Sequence, residues 1–327
     1  MSTSTTRHGT DLATAAPAPT GVPEPDEHPS RGRLVLRRFL RNRGGVIGLC
    51  TIAAMFALAY LGPFLSPWGY AESDYTAFLS PPSAEHWFGT TQIGNDVFAQ
   101  TMRGLQKSLV IGLLVGLLST AFASVVGAAA GYFGGWTDRI LMWFTDLLLV
   151  LPAFLIIAIL SPSFRGKTWL VFVALLAVFA WMITARIVRG MTLSLKEREF
   201  VLAARFMGVP AWRIIARHIM PNMASILIID ATIAVGGAIL AETGLSYFGF
   251  GVQPPDVSLG TLIASGTDSA LTFPWLFLFA AGFLIVAVLS VNLVGDGLRD
   301  ALDASSDRAV KRDDETAVAE SRRGATV

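Results

Sequence analysis

Apolar residues in this chain are gathered into long runs separated by shorter polar stretches. The runs 44–65, 108–137, 147–164, 168–185 and 269–295 contain no charged residue, and each reaches or approaches the roughly 20 residues that carry a helix across a bilayer. A sixth run, 223–250, is interrupted by Asp230 and Glu242. In lipid a backbone amide finds its partner only within its own segment, so such runs are helices. The pattern predicts an all-α membrane protein with about six spans, near 44–65, 108–131, 139–160, 168–188, 222–243 and 273–295.

The polar stretches give direction to these spans. Residues 1–30 are rich in Thr, Ala and Pro and lack an apolar run. They read as a disordered tail, not as a signal peptide. Residues 31–43 hold six Arg, interleaved with Leu34, Val35, Leu36, Phe39 and Leu40. This is the composition of a basic amphipathic segment on a membrane surface, and it is preferred here over nucleic-acid binding. Six Arg directly before an apolar span place the amino end in the cytoplasm. The membrane domain, 44–303, then alternates: the 66–104 loop outside, a short turn at 131–138 inside, 161–167 outside, a long polar loop at 186–222 inside, and 251–268 outside. The carboxyl end returns to the cytoplasm, with 304–327 read as a charged, Ala-rich disordered tail. Of the 25 Lys and Arg, this frame puts Arg103, Lys107, Arg165 and Lys167 outside and the remaining 21 inside. A shift by one span destroys that asymmetry.

Within the frame, Asp96 is placed to cap a short helix at 97–102. Pro152 marks a kink in the third span. The second span carries Gly112-x-x-x-Gly116 and Gly127-x-x-x-Gly131. These spacings suit close helix approach, or simply reflect the tolerance of lipid-embedded helices for Gly. The loops 66–104 and 251–268 suit a docking surface for an external protein, or a folded rim over the spans.

Composition agrees with the pattern: 53% of residues are hydrophobic and 15% charged, against the quarter typical of soluble domains. Enzyme chemistry is not visible. The sequence has no HExxH, no GxSxG, no phosphate-binding Gly-Lys loop and no Cys/His cluster. Cys50 is the single cysteine and lies in an apolar run. His86 and Asp96 share an outer loop, where a solvated loop is the preferred reading over a metal site. With no phosphate loop of its own, the chain would need a partner to handle any ATP.

The 186–222 loop carries seven Lys/Arg against two Glu. Phe200, Ala203, Ala204 and Met207 follow i, i+3, i+4, i+7 and predict one apolar helical face with small residues at its centre. Gly208 suits a left-handed helix end, and Pro210 the first turn of a second helix. There Trp212, Ile215 and Ile219 form a stripe flanked by Arg213 and Arg217. Two short helices meeting at Met207-Gly208-Val209-Pro210 suit a shape for a soluble partner to grip; a basic anchor folded on the membrane is the plainer reading. Asp146, Asp230 and Glu242 are acids within apolar spans, where charge is costly. All three are candidates for a transport pathway, facing a cavity or a neighbouring span; interfacial or capping positions are the plainer reading for Asp146 and Glu242. Asp230 lies deeper and suits a transport pathway or an inter-span contact, where it could meet the amino group of a peptide.

The 186–222 loop resembles the EAA loop of ABC importer permeases, a Glu-Ala-Ala followed at fixed distance by Gly and then Leu-Pro. Ala203, Ala204, Gly208 and Pro221 match; Leu202 and Met220 depart from the motif's Glu and Leu, with Glu199 a nearby acid. Three further segments are similar to the C-type subunit of the dipeptide/oligopeptide permease branch: WFGTTQIGNDVF at 87–98, with Asn95 in place of Arg; GYFGGWTD at 131–138; and ETGLSYFGFGVQPP at 242–255. The resemblance spans about 33–303. It implies the type I importer arrangement in a bacterial cell membrane, and a non-catalytic permease that takes up di- or oligopeptides. It implies as partners a second homologous permease, two ATPase subunits or one fused ATPase, and an extracytoplasmic substrate-binding protein. ATP and Mg would be bound by the ATPases, with no cofactor in this chain. The same branch carries haem, nickel complexes and oligosaccharides. An ion channel or secondary transporter is the more distant alternative, and it leaves the 186–222 loop unexplained.

Overall fold

The computed structural model describes residues 31–164 and 169–324, with side chains described over 32–163 and 169–302. The tail at 1–30 and the outer-turn residues 165–168, including Arg165 and Lys167, lie outside the described residues. Among those described, helices α1 (Arg31–Phe39), α2 (Arg43–Leu61), α3 (Val97–Phe133), α4 (Gly135–Val150), α5 (Ala153–Leu160), α6 (Leu170–Ala180) and α7 (Met182–Leu195) lead to a short helical hairpin. The hairpin is formed by α8 (Glu199–Phe206) and α9 (Ala211–Ile214). It is followed by α10 (Met220–Tyr247), α11 (Leu259–Thr267) and α12 (Trp275–Gly324). Four helical stretches are long and apolar enough to cross a membrane, or six if each of two bent pairs is one span. The bends fall between α4 and α5, at 77°, and between α6 and α7, at 46°. The first is the expected Pro152 kink, sharpened into a break, because Pro152 cannot continue the hydrogen-bond ladder of α4. The second, at Trp181, carried no Pro or Gly signal.

Helix α3 is the central post. At about 1.5 Å per residue its 37 residues extend for about 55 Å, well beyond the hydrocarbon thickness. The expected cap helix at 97–102 and the expected second span are thus one helix. Polar residues that suggested a break between them are all engaged. Gln106 Nε2 donates to the Ala59 carbonyl at 2.6 Å, and Gln100 Nε2 to that of Tyr70 at 3.3 Å. Arg103 and Lys107 both pair with Asp256, at 3.2 and 3.1 Å. Both small-residue spacings lie at helix crossings. A Cβ at Gly116 would stand 2.6 Å from Val235 Cγ2, and Gly112 backs onto Ile239, so this pair seats α10. Gly131 would meet Thr192 Cβ at 2.7 Å, and Gly127 backs onto Ala185, so the second pair seats α7. Close approach, not mere tolerance, accounts for these four glycines.

Residues 66–96 fold as a cap over one end of the bundle. His86, expected on a solvated loop, is buried at 2% exposure. Its Nδ1 lies 2.9 Å from Asp96 Oδ2, its Nε2 3.4 Å from Asp74 Oδ2, and Trp68 stacks on the ring. Asp74 in turn accepts from the Thr76 hydroxyl and backbone N–H, bonds that hold its carboxyl below the usual range. Asp96 caps α3 as expected, accepting from Ala99 N at 2.7 Å. Asn95, which departs from the branch motif, donates to the Glu72 carbonyl at 2.9 Å and to Ser73 Oγ at 3.1 Å, so the substitution supplies its own cap contacts. Asp96→Ala is expected to cost about 0.5–2 kcal/mol for the lost cap and about 1–3 kcal/mol more for the buried His86 nitrogen left without its partner. The check is an earlier thermal transition of the purified protein in detergent, with Asp96→Asn restoring most of the loss.

The hairpin stands at the opposite end. There the chain turns directly from α3 into α4 at Gly134 (φ +64°), in place of a loop at 131–138. Helix α12 continues to Gly324, where a disordered segment was expected from 304. No Gly or Pro interrupts 298–323, and Ala with charged residues favours helix.

Candidate functional site

The loop expected at 186–222 is mostly helix. Its first ten residues complete α7, and its last three begin α10. Arg186 and Arg189, two of the seven basic residues counted in the loop, face acids of α4. Arg186 pairs with Asp146, and Arg189 clasps Asp138 through Nε and Nη2, the latter at 2.6 Å. Lys196 donates to the Gly131 carbonyl at 3.1 Å.

The hairpin itself turns at Gly208, which has φ +75°. Val209 N–H donates to the Ala204 carbonyl at 3.1 Å and Gly208 N–H to that of Arg205 at 3.0 Å. This pair of bonds is a Schellman cap around a left-handed glycine, with Val209 packed against the apolar cluster that includes Ala204. Pro210 occupies the N-cap of α9, one position before the first turn expected for it. Beyond it Ile215–Ile219 form a π turn that leads into Pro221. Pro221 has no N–H to give, and a widened turn accommodates its ring. Asn222 Nδ2 donates to the His218 carbonyl there at 2.6 Å.

The expected face Phe200, Ala203, Ala204, Met207 is divided by the fold. Ala204, at 1% exposure, points inward with Val201 against Ile214, Ile219 and Met223. Phe200, Ala203 and Met207 remain on the surface, beside Phe206 at 89% exposure and Trp212 at 65%. Arg213 is exposed over the Trp212 ring, and Glu199 is exposed in the first turn of α8. Seven of the eight residues from 200 to 207 are apolar, so periodicity alone could not choose which side turns inward. Phe206 was missed for that reason. Its signal was the excess itself: a short helix apolar all round needs a second surface to cover it. The inward side is continuous with Ala128 of α3 and Val188 of α7, so the hairpin is seated on α3, α7 and α10 together.

The three intramembrane acids are not gathered into one site. Asp146 is exposed and belongs to the α4–α7 pairing. Glu242, a pathway candidate also read as an interface or cap residue, is fully buried. It accepts from Ser108 Oγ of α3 at 2.9 Å and Ser246 Oγ at 2.6 Å, while the Ser108 oxygen accepts from Leu259 N of α11 at 3.2 Å. This network, with Val252 N donating to Ser246 Oγ at 3.1 Å, is the physical content of the 242–255 segment. Asp230 alone lines a cavity, of about 530 Å³ between α3, α5, α6, α7 and α10.

The profile of the family described as binding-protein-dependent transport system inner membrane component matches residues 123–308, the stretch that holds the hairpin and all three acids. The chain belongs to that family. A second profile, the N-terminal TM domain of oligopeptide transport permease C, matches 30–82. The permease is 57% identical over 287 residues to the oligopeptide transport system permease protein OppC of Mycobacterium tuberculosis, covering 88% of this chain and 98% of that one. It is 39% identical over 268 residues to a putative peptide permease protein of Brucella abortus, covering 81% and 88%. A similar match, 39% over 269 residues, covers 82% of this chain and 86% of OppC of Haemophilus influenzae. The protein is thus a multi-pass inner membrane permease of an ABC importer. Membership implies ATPase and binding-protein partners.

Proposed function

We propose that this permease imports oligopeptides, and that the α8–α9 hairpin is where ATPase subunits engage it. The observation that carries the second part is the exposure of Phe200, Phe206, Met207 and Trp212 on two short helices that meet at a capped turn. Uncovered apolar side chains of this kind on a short element seated on the bundle are the form of a protein interface. The cargo reading rests on the relatives, whose names specify oligopeptides or peptides. In this reading the hairpin end faces the cytoplasm, as the distribution of Lys and Arg requires. The chain catalyses nothing itself. ATP and Mg are held by two ATPase subunits or one fused ATPase, a second homologous permease completes a heterodimer, and an extracytoplasmic protein delivers the cargo to the cap end.

ATP-driven closure of the ATPases displaces the hairpin. Because its inward side is packed on α3, α7 and α10, the displacement tilts those three helices and switches the access of the permease pair. The test is affinity purification of the tagged permease from its native membrane. A P-loop ATPase that copurifies, and is cross-linked by a photoreactive group at position 206, is the expected result. A lone chain that transports after reconstitution overturns the reading.

A further inference from the structure

The cavity beside Asp230 has features that helix packing does not explain. Its α10 wall presents Ala234, Gly237, Ala241 and Gly244. A Cβ built on Gly237 or Gly244 would meet nothing within 4 Å, in contrast to Gly112 and Gly116, which are pressed against a neighbouring helix. These two glycines hold space open. The opposite walls are apolar, from Phe154 and Ile157 of α5 to Phe179 of α6. Into this space faces one carboxylate. Asp230 accepts from Thr184 Oγ1 at 2.9 and 3.0 Å and from Thr120 Oγ1 at 3.3 Å. Two hydroxyl protons leave about half of the roughly four acceptor positions of a carboxylate unfilled. No Lys, Arg or His among the described residues forms an ion pair with it.

An under-filled carboxylate at membrane depth, in a space of ligand size with apolar walls, matches a cation carried on an apolar body. We propose that Asp230 forms a subsite for an ammonium group of the transported peptide, with the cavity taking the adjoining side chain. The inference rests on the peptide-import reading. Thr120, Thr184 and Asp230 stand on α3, α7 and α10, the three helices that carry the hairpin, so a displaced hairpin changes the geometry around the bound cation.

The test uses the complete importer with its binding protein in proteoliposomes. Uptake is measured in competition for two labelled peptide pairs of equal length, all first shown to bind the receptor. One pair differs in lysine against acetyl-lysine, the other in a free against an acetylated amino terminus. In Asp230→Asn the preference for the charged member of one pair is expected to fall about tenfold relative to wild type, the scale of one charge-assisted hydrogen bond. Asp230→Glu is expected to keep part of the preference. The affected pair identifies the source of the ammonium, side chain or terminus. Ratios unchanged in both pairs, or equal loss of all four peptides, overturn the subsite. If the wild-type importer moves none of these peptides, the peptide reading fails instead. Gly237→Leu gives an independent check: its Cβ meets no neighbour within 4 Å and its side chain enters the cavity, so full uptake in a variant that still assembles also overturns the proposal.

Discussion

Phe206→Asp is expected to leave the permease folded in the membrane and to abolish its recruitment of ATPase subunits. The residue is 89% exposed, so the free chain loses almost no packing when the ring is removed. A surface change of this kind normally alters stability by no more than about 0.5 kcal/mol. At an interface the balance reverses. Burying a Phe side chain contributes about 1.5–3 kcal/mol, and an aspartate in an apolar pocket adds the cost of an unpaired buried charge. Together these predict a loss of at least about 100-fold in affinity. The measurement is ATPase binding to the purified permease in nanodiscs, alongside the thermal transition of the permease alone. Wild-type binding would remove the hairpin surface from the coupling mechanism.

Hydrophobic patterning carries the spans and single-residue turns of this protein but not its long-range contacts. Uncharged runs give the spans directly, because lipid allows no other way to satisfy a backbone. The Pro152 break, the Asp96 cap and the Gly208 turn were also legible, since each depends on the local chemistry of one residue. Contacts between distant segments were not. Nothing local says that Arg103 and Lys107 share Asp256, or that His86 is enclosed by Asp74, Asp96 and Trp68. The polar residues 103–107 therefore read as a break between a short helix and the second span, although they lie within the continuous helix α3.

The candidate site divides in the same way. Its turn was legible and its facing was not, because a stretch apolar at seven of the eight positions 200–207 carries no phase. The acids were recognisable as unusual in lipid. Their different fates follow from what each meets: an Arg on α7 for Asp146, serine hydroxyls in a sealed junction for Glu242, and an open cavity for Asp230.

The facing of α8 makes a second prediction that separates two kinds of failure. Ala204→Arg also abolishes ATPase recruitment, but by dismantling the hairpin rather than by altering its surface. Ala204 packs with Val201 against Ile214, Ile219 and Met223, and its carbonyl accepts the Val209 N–H of the glycine cap. An arginine there must either bury an unpaired charge or push α8 away from α10. Either route costs on the order of 3–5 kcal/mol, more than a short two-helix element can supply by itself. Amide hydrogen exchange reads the difference. In Ala204→Arg, exchange over 199–214 is expected to rise at least about 100-fold, in proportion to the lost local stability, while the centre of α3 stays protected. In Phe206→Asp both regions keep wild-type protection. If Ala204→Arg also leaves 199–214 protected, the inward placement of Ala204 is wrong. The small residues of the motif would then belong to the partner-facing surface rather than to the packing that holds that surface in place.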